Sequence, residues 1–95
     1  MTQDMRKGNA MYSLLYRTIL RAETEEDMRI LLDDLCTYKE VEQMAQRAYA
    51  AKMLKEGRTY AEIIAATDIS SATLSRVSRC LQYGRGAYEK FIPED

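Results

Sequence analysis

The sequence predicts an all-α chain of about six helices, and three observations carry that reading. The one proline, Pro93, and the four glycines, at Gly8, Gly57, Gly84 and Gly86, leave long stretches free of helix breakers. Three threonines stand three residues ahead of a carboxylate, in Thr24-Glu-Glu-Asp27, Thr37-Tyr-Lys-Glu40 and Thr59-Tyr-Ala-Glu62. In such a box the threonine hydroxyl accepts from the third helical amide, and the acid reaches back to the threonine amide while facing the positive helix end. Each box also opens a segment whose apolar residues recur at helical spacing.

The elements follow in order. The first helix is expected over Asn9–Arg21, with Met11, Leu14, Leu15, Ile19 and Tyr12 or Tyr16 on a broad apolar face. The second covers Glu25–Leu35, where Met28, Leu31, Leu32 and Leu35 form a stripe and Asp33 and Asp34 face water. Its capping box is the weakest of the three, because Asp27 is shorter than the preferred Glu. The third runs over Tyr38–Glu56 with a seam of Val41, Met44, Ala45, Ala48, Ala51, Met53 and Leu54, and Gly57 ends it in the position that tolerates a left-handed backbone. A short fourth helix spans Tyr60–Ala66, and a fifth spans Ser71–Tyr83 and stops at Gly84. A last turn or two covers Ala87–Ile92 before Pro93, with Tyr83 and Tyr88 expected to pack that turn on the core.

At 95 residues and 46% hydrophobic content the chain reads as one domain, residues 1–95. Such a chain buries only about 60–65% of its unfolded surface, so association would help it. The first two helices, residues 9–35, are more apolar than a monomer of this size needs, and they read as dimerisation helices of a homodimer. Apolar content excludes a disordered chain, and no apolar run approaches the ~18 residues of a membrane span. The polar start Met1–Asn9 does not read as a signal peptide.

The chain has no histidine, which removes Cys–His and Ser–His–Asp nucleophilic sites and histidine-based metal sites. With no nucleophile beside a base, the chain does not read as an enzyme, and no cofactor is expected. Cys36 and Cys80 read as reduced thiols of a cytoplasmic protein, with a disulfide or a redox sensor as alternatives. Glu25-Glu26-Asp27 with Asp33-Asp34 reads as a first turn facing the helix dipole and a solvated face rather than as a metal site.

The segment from Glu62 to Val77, within residues 59–83, has the spacing of a helix-turn-helix. Ile63 packs the first helix inward. Asp68 stands where the sharp turn usually has glycine, and Asp enters the left-handed region at modest cost. Ile69 plugs the corner, Ser70 or Ser71 caps the second helix, and Leu74 and Val77 pin it to the core. Ile64 departs from the pattern, because a small alanine usually follows the first anchor. The second helix presents Ser71, Ala72, Thr73, Ser75, Arg76 and Arg79 outward. Small and hydroxylic tip residues admit a helix to a major groove about 12 Å wide, and arginine bonds guanine or phosphate. Thr59 and Ser70 join the expected DNA contacts, with Lys52, Lys55 and Arg58 raising the local potential.

The formal charge of −1 on its face opposes a double-stranded DNA partner, since a basic domain is the usual expectation. The distribution removes the objection. From Ile69 to Tyr88 there is no acidic residue and there are three arginines, Arg76, Arg79 and Arg85. A docking surface for another protein is the alternative use of the same helix-turn-helix.

From Thr37 to Gln82 the sequence resembles the Trp-repressor family, and within it most resembles the YerC/YecD branch. The resemblance rests on Thr37-Tyr-Lys-Glu-Val-Glu-Gln-Met-Ala-Gln-Arg47, Met53-Leu-Lys-Glu-Gly57 and Ile69-Ser-Ser-Ala-Thr-Leu-Ser-Arg76. It implies an intertwined helical homodimer, a central helix at residues 37–57, and a bacterial transcriptional regulator, in the first place a repressor. Two recognition helices would then meet successive major grooves about 34 Å apart. For an effector pocket it implies Thr37, Arg47 and Arg76, which match the tryptophan-binding pattern, and Val77 and Cys80, which depart from it. Val77 stands where a glycine makes room for the indole, and Cys80 where a serine contacts the ligand; a thiol is the poorer partner. No response to tryptophan is expected.

Overall fold

The computed structural model describes residues 4–94, so the polar start at Met1–Gln3 and the acidic end at Asp95 lie outside the described residues. Its helices are α1 (Ala10–Leu20), α2 (Glu25–Leu35), α3 (Tyr38–Lys55), α4 (Tyr60–Thr67), α5 (Ser71–Tyr83) and α6 (Ala87–Phe91). They form two compact units that divide after Tyr38. Among the described residues, no helix is long and apolar enough to cross a membrane.

The first unit holds α1 and α2. The Asn9 side chain accepts from the Met11 amide at 2.8 Å and starts α1. Thr24 caps α2 through the Asp27 amide at 2.9 Å, but the Asp27 carboxylate takes the Glu23 amide instead of that of Thr24. The shorter acid therefore closes its loop one residue further out. Neither helix buries a residue within the chain. Met11, Leu14, Tyr16 and Leu20 on α1, and Ile30 and Leu35 on α2, are all exposed.

The second unit owns the core. Ala50, Ala51, Ile63, Ile69, Leu74 and Val77 are buried, and Met53, Leu54, Ile64, Leu81, Tyr88 and Ile92 pack around them. Full burial of a side chain such as Ile63 or Leu74 stabilises by about 1.5–3 kcal/mol. The expected α3 seam needs correction. Ala50 and Ala51 form its buried line, whereas Ala45 is exposed and Met44 is partly so. Ala51, Met53 and Leu54 of the expected seam do lie in or against the core, and Ala50 joins them. The aromatic pair also splits, since Tyr88 packs on the core while Tyr83 is 81% exposed. Tyr83, the last residue of α5, stands nine residues after Leu74 and so about half a turn around the helix from it.

Two glycines end helices for different reasons. Gly57 has φ +79°, and the Arg58 amide bonds the Met53 carbonyl while the Gly57 amide bonds that of Leu54, both at 3.0 Å. This is the paired closure that wants a left-handed glycine. Gly84 has φ −80°, so backbone freedom is not its role. Its amide lies 2.9 Å from the Cys80 carbonyl oxygen, and a Cβ there would meet that oxygen at 2.5 Å. Gly84→Ala is therefore expected to cost about 1–3 kcal/mol, as overpacking does. Thermal unfolding checks it: a midpoint several degrees lower is the expected result, and an unchanged one contradicts the steric reading.

Candidate nucleic-acid interface

The interface is built by α4, its turn and α5. Thr59 opens α4 with a complete capping box: its hydroxyl accepts from the Glu62 amide at 3.2 Å, and Glu62 accepts from the Thr59 amide at 2.9 Å. These bonds from Thr59, with Arg58 nearby, hold the Glu62 carboxyl below the usual carboxylate range. A depressed folded-state value means that this contribution to stability is present above the ordinary glutamate range and fades as pH falls through the folded value. The Thr59 hydroxyl also donates to Glu62, so it serves the helix start.

The turn is Asp68, at φ +60° and ψ +16°, with its amide bonded to the Ile64 carbonyl at 2.9 Å. It is the one non-glycine residue with positive φ among those described, and it occupies the position foreseen for it. Thr67 supports it. The Thr67 hydroxyl donates to the Ile63 carbonyl at 2.7 Å and accepts from the Ile69 amide at 3.2 Å. Thr67 was invisible as a turn residue in the sequence, because a threonine at a helix end carries no signal apart from such bonds. Ile69 is 2% exposed and fills the corner between α4 and α5.

Ser70, not Ser71, caps α5. Its hydroxyl oxygen accepts from the Thr73 amide at 3.1 Å and donates to the Thr73 hydroxyl at 2.9 Å. Leu74 and Val77 are buried beneath the helix. Ser71, Ala72, Ser75, Arg76 and Arg79 are exposed above it, while Thr73 is half-buried. The geometry thus leaves Ser71, Ala72, Ser75 and both arginines facing solvent from one rigid, capped helix. Ser70, Thr59 and the Thr73 hydroxyl already hold that helix or its neighbour in place.

Charge is segregated along the chain. Arg29 pairs with Glu26 and Asp33 on α2, Lys39 with Glu42 and Lys52 with Glu56 on α3, and Arg58 with Glu62 at the start of α4. Lys55 donates to the Glu89 carbonyl. Among the described residues, Arg76 and Arg79 make no ion pair with an acidic side chain. These pairs neutralise Arg29, Lys39, Lys52 and Arg58, whereas α5 carries two arginines and no acidic residue. A cationic, capped helix with small side chains at its tip is built for a polyanion with a groove.

The Trp repressor protein family matches residues 10–95 of this chain. The chain belongs to that family. Uncharacterized protein YerC of Bacillus subtilis (strain 168) is 48% identical over 75 residues, which are 79% of this chain and 72% of that protein. Two solved structures share the fold. A candidate Trp repressor from Staphylococcus aureus superposes with a TM-score of 0.85 at 40% identity, covering 94% of this chain and 89% of its own. A TrpR-like protein from Eubacterium eligens ATCC 27750 gives a TM-score of 0.86 at 34% identity, with 92% and 90% covered. As a Trp-repressor-family member, the chain is a helix-turn-helix DNA-binding regulator of transcription and not an enzyme.

Four of the five residues that the family resemblance assigns to an effector line one cavity, and Thr37 does not. Arg47, Arg76, Val77 and Cys80 line a space of about 670 Å³ between α3 and α5, together with Gln43, Gln46 and Tyr88. Thr37 belongs to the first unit. Val77 is 2% exposed, so the α5 wall is filled where a glycine would leave a recess. Tyr88 on this cavity was not foreseen, because it arrives from α6, a helix of only five residues. Both cysteines are free thiols, Cys36 half-buried and Cys80 exposed.

Proposed function

We propose that the chain is a cytoplasmic, sequence-specific repressor that binds double-stranded DNA as a homodimer and does not answer to tryptophan. The observation that carries the reading is α5, a capped, acid-free helix with small residues at its tip, whose Arg76 and Arg79 make no ion pair among the described residues. In this reading Ser71, Ala72, Ser75 and Arg76 meet base edges. Arg79 meets phosphate, and Ser70, Thr73 and Thr59 set the helix ends and approach the backbone.

The homodimer is supported by the first unit. Six large apolar side chains on α1 and α2 are exposed, and neither helix buries a residue. An apolar surface of this extent on a chain of 95 residues asks for a second copy. Repression follows from occupancy, since a dimer on two adjacent major grooves covers the DNA that other proteins need.

Indifference to tryptophan rests on the shape and chemistry of one wall of the cavity, not on its volume. The branched Val77 stands where an indole would lie against α5, and Cys80 offers a thiol where a hydroxyl would bond the ligand. Thermal unfolding with and without L-tryptophan tests this. A ligand at a hundred times its Kd stabilises by about 2.7 kcal/mol. We expect no shift at millimolar L-tryptophan, and a rise of several degrees would refute the reading. Selection of DNA from a random pool, followed by gel shifts on the enriched fragments, tests the repressor reading itself.

A further inference from the structure

We infer that Gln46 is a positioning residue for DNA recognition, whose amide fixes the helix-turn-helix at one angle on the central helix. The proposal rests on α5 being the DNA-reading helix. Gln46 lies on α3, is half-buried, and donates from Nε2 to the Thr67 carbonyl at 3.1 Å across 21 residues of sequence. That carbonyl belongs to the last turn of α4, where backbone oxygens lack partners within the helix. The bond therefore satisfies an oxygen that α4 itself leaves open.

Thr67 passes the constraint on. Its hydroxyl reaches back to Ile63 and holds the Ile69 amide, and Ile69 is the buried plug against which α5 turns. A displacement of the Thr67 carbonyl is therefore a displacement of the whole corner. Gln46 lines both a cavity of about 670 Å³ and one of about 300 Å³, the latter shared with Ala45, Tyr49 and Ala66. Below them the contact is Ala50 and Ala51 with Ile63 in the core. Alanines let two helices approach closely, but their smooth surface has no knob to resist rotation. The core thus sets the distance of α4 from α3, and the Gln46 amide sets the rotation.

The test compares Gln46→Met, which keeps the volume and loses the donor, with Gln46→Asn, which keeps the amide and loses its reach. DNA from the wild-type selection and a scrambled duplex are titrated in parallel at several salt concentrations. One hydrogen bond of ordinary strength converts to a roughly three- to tenfold loss. We expect both variants to lose that much affinity for the selected DNA, with affinity for the scrambled duplex and the salt slope unchanged. Hydrogen exchange should show the Ile69 amide exchanging faster while the Leu74 amide holds. Wild-type selectivity in both variants overturns the proposal. So does an equal loss on both duplexes, which marks a general structural defect. A wild-type chain without selectivity refutes the DNA reading instead; unchanged exchange at Ile69 then overturns the bridge independently.

Discussion

Arg76→Ala is expected to lower affinity for the selected DNA by about 5- to 150-fold, the range of one bidentate base contact, while barely changing affinity for a scrambled duplex. Arg76 is exposed on α5 and makes no ion pair with an acidic side chain among the described residues, so its removal strands no buried acid and leaves the fold intact. Arg79→Ala gives the contrast. A phosphate contact carries no sequence information, so its loss should weaken binding to both duplexes alike and reduce the salt slope by about one. Gel shifts over a salt series separate the two behaviours. If Arg76→Ala weakens both duplexes equally, Arg76 reads no base and the assignment of the α5 tip is wrong.

Leu74→Ala is the second large effect, and it acts on stability. Leu74 is fully buried, one turn into α5, among Ile63, Ile69 and Val77. Truncating a leucine at such a site costs about 2–5 kcal/mol, against a total of about 5–15 kcal/mol for a folded domain. Urea unfolding should show a midpoint shifted strongly downward with an unchanged slope, because the same surface is exposed on unfolding. Loss of DNA binding should follow the loss of folded protein. A cost below about 1 kcal/mol would show that α5 is not pinned through this residue.

Much of the fold was legible because its signals are local. Asp68 in the left-handed turn, Gly57 after α3 and the Thr59–Glu62 box each depend on two to four adjacent residues, and each appears where the sequence places it. The plug and anchors Ile69, Leu74 and Val77 were legible for the same reason, since helical spacing alone puts them on one face. The exposed apolar faces of α1 and α2 were legible as an excess over what a small chain can bury.

What was not legible depends on contacts across the chain or on residues without a strong signature. Ala50 shares the buried line of α3 with the foreseen Ala51, but an alanine by itself does not distinguish a buried line from a solvent face. Tyr83 and Tyr88 look alike in sequence, and only the position of α6 separates the partly buried ring from the exposed one. The Gln46–Thr67 bond joins residues 21 apart, and neither has a pattern that announces it. Of the expected DNA contacts, spacing identified the exposed face of α5 and the caps at Thr59 and Ser70, but not the engagement of the Thr73 hydroxyl by Ser70.

The central claim is that a dimer of this chain reads DNA with two copies of α5, and selection of duplexes from a random pool by the purified wild-type protein tests it most directly. The account predicts enriched sites made of two half-sites related by a two-fold axis, their centres about 10–10.5 base pairs apart, with affinity that falls steeply as salt rises. No enrichment over the starting pool at low salt, together with stoichiometric capture of another protein through Arg76 and Arg79, would contradict it.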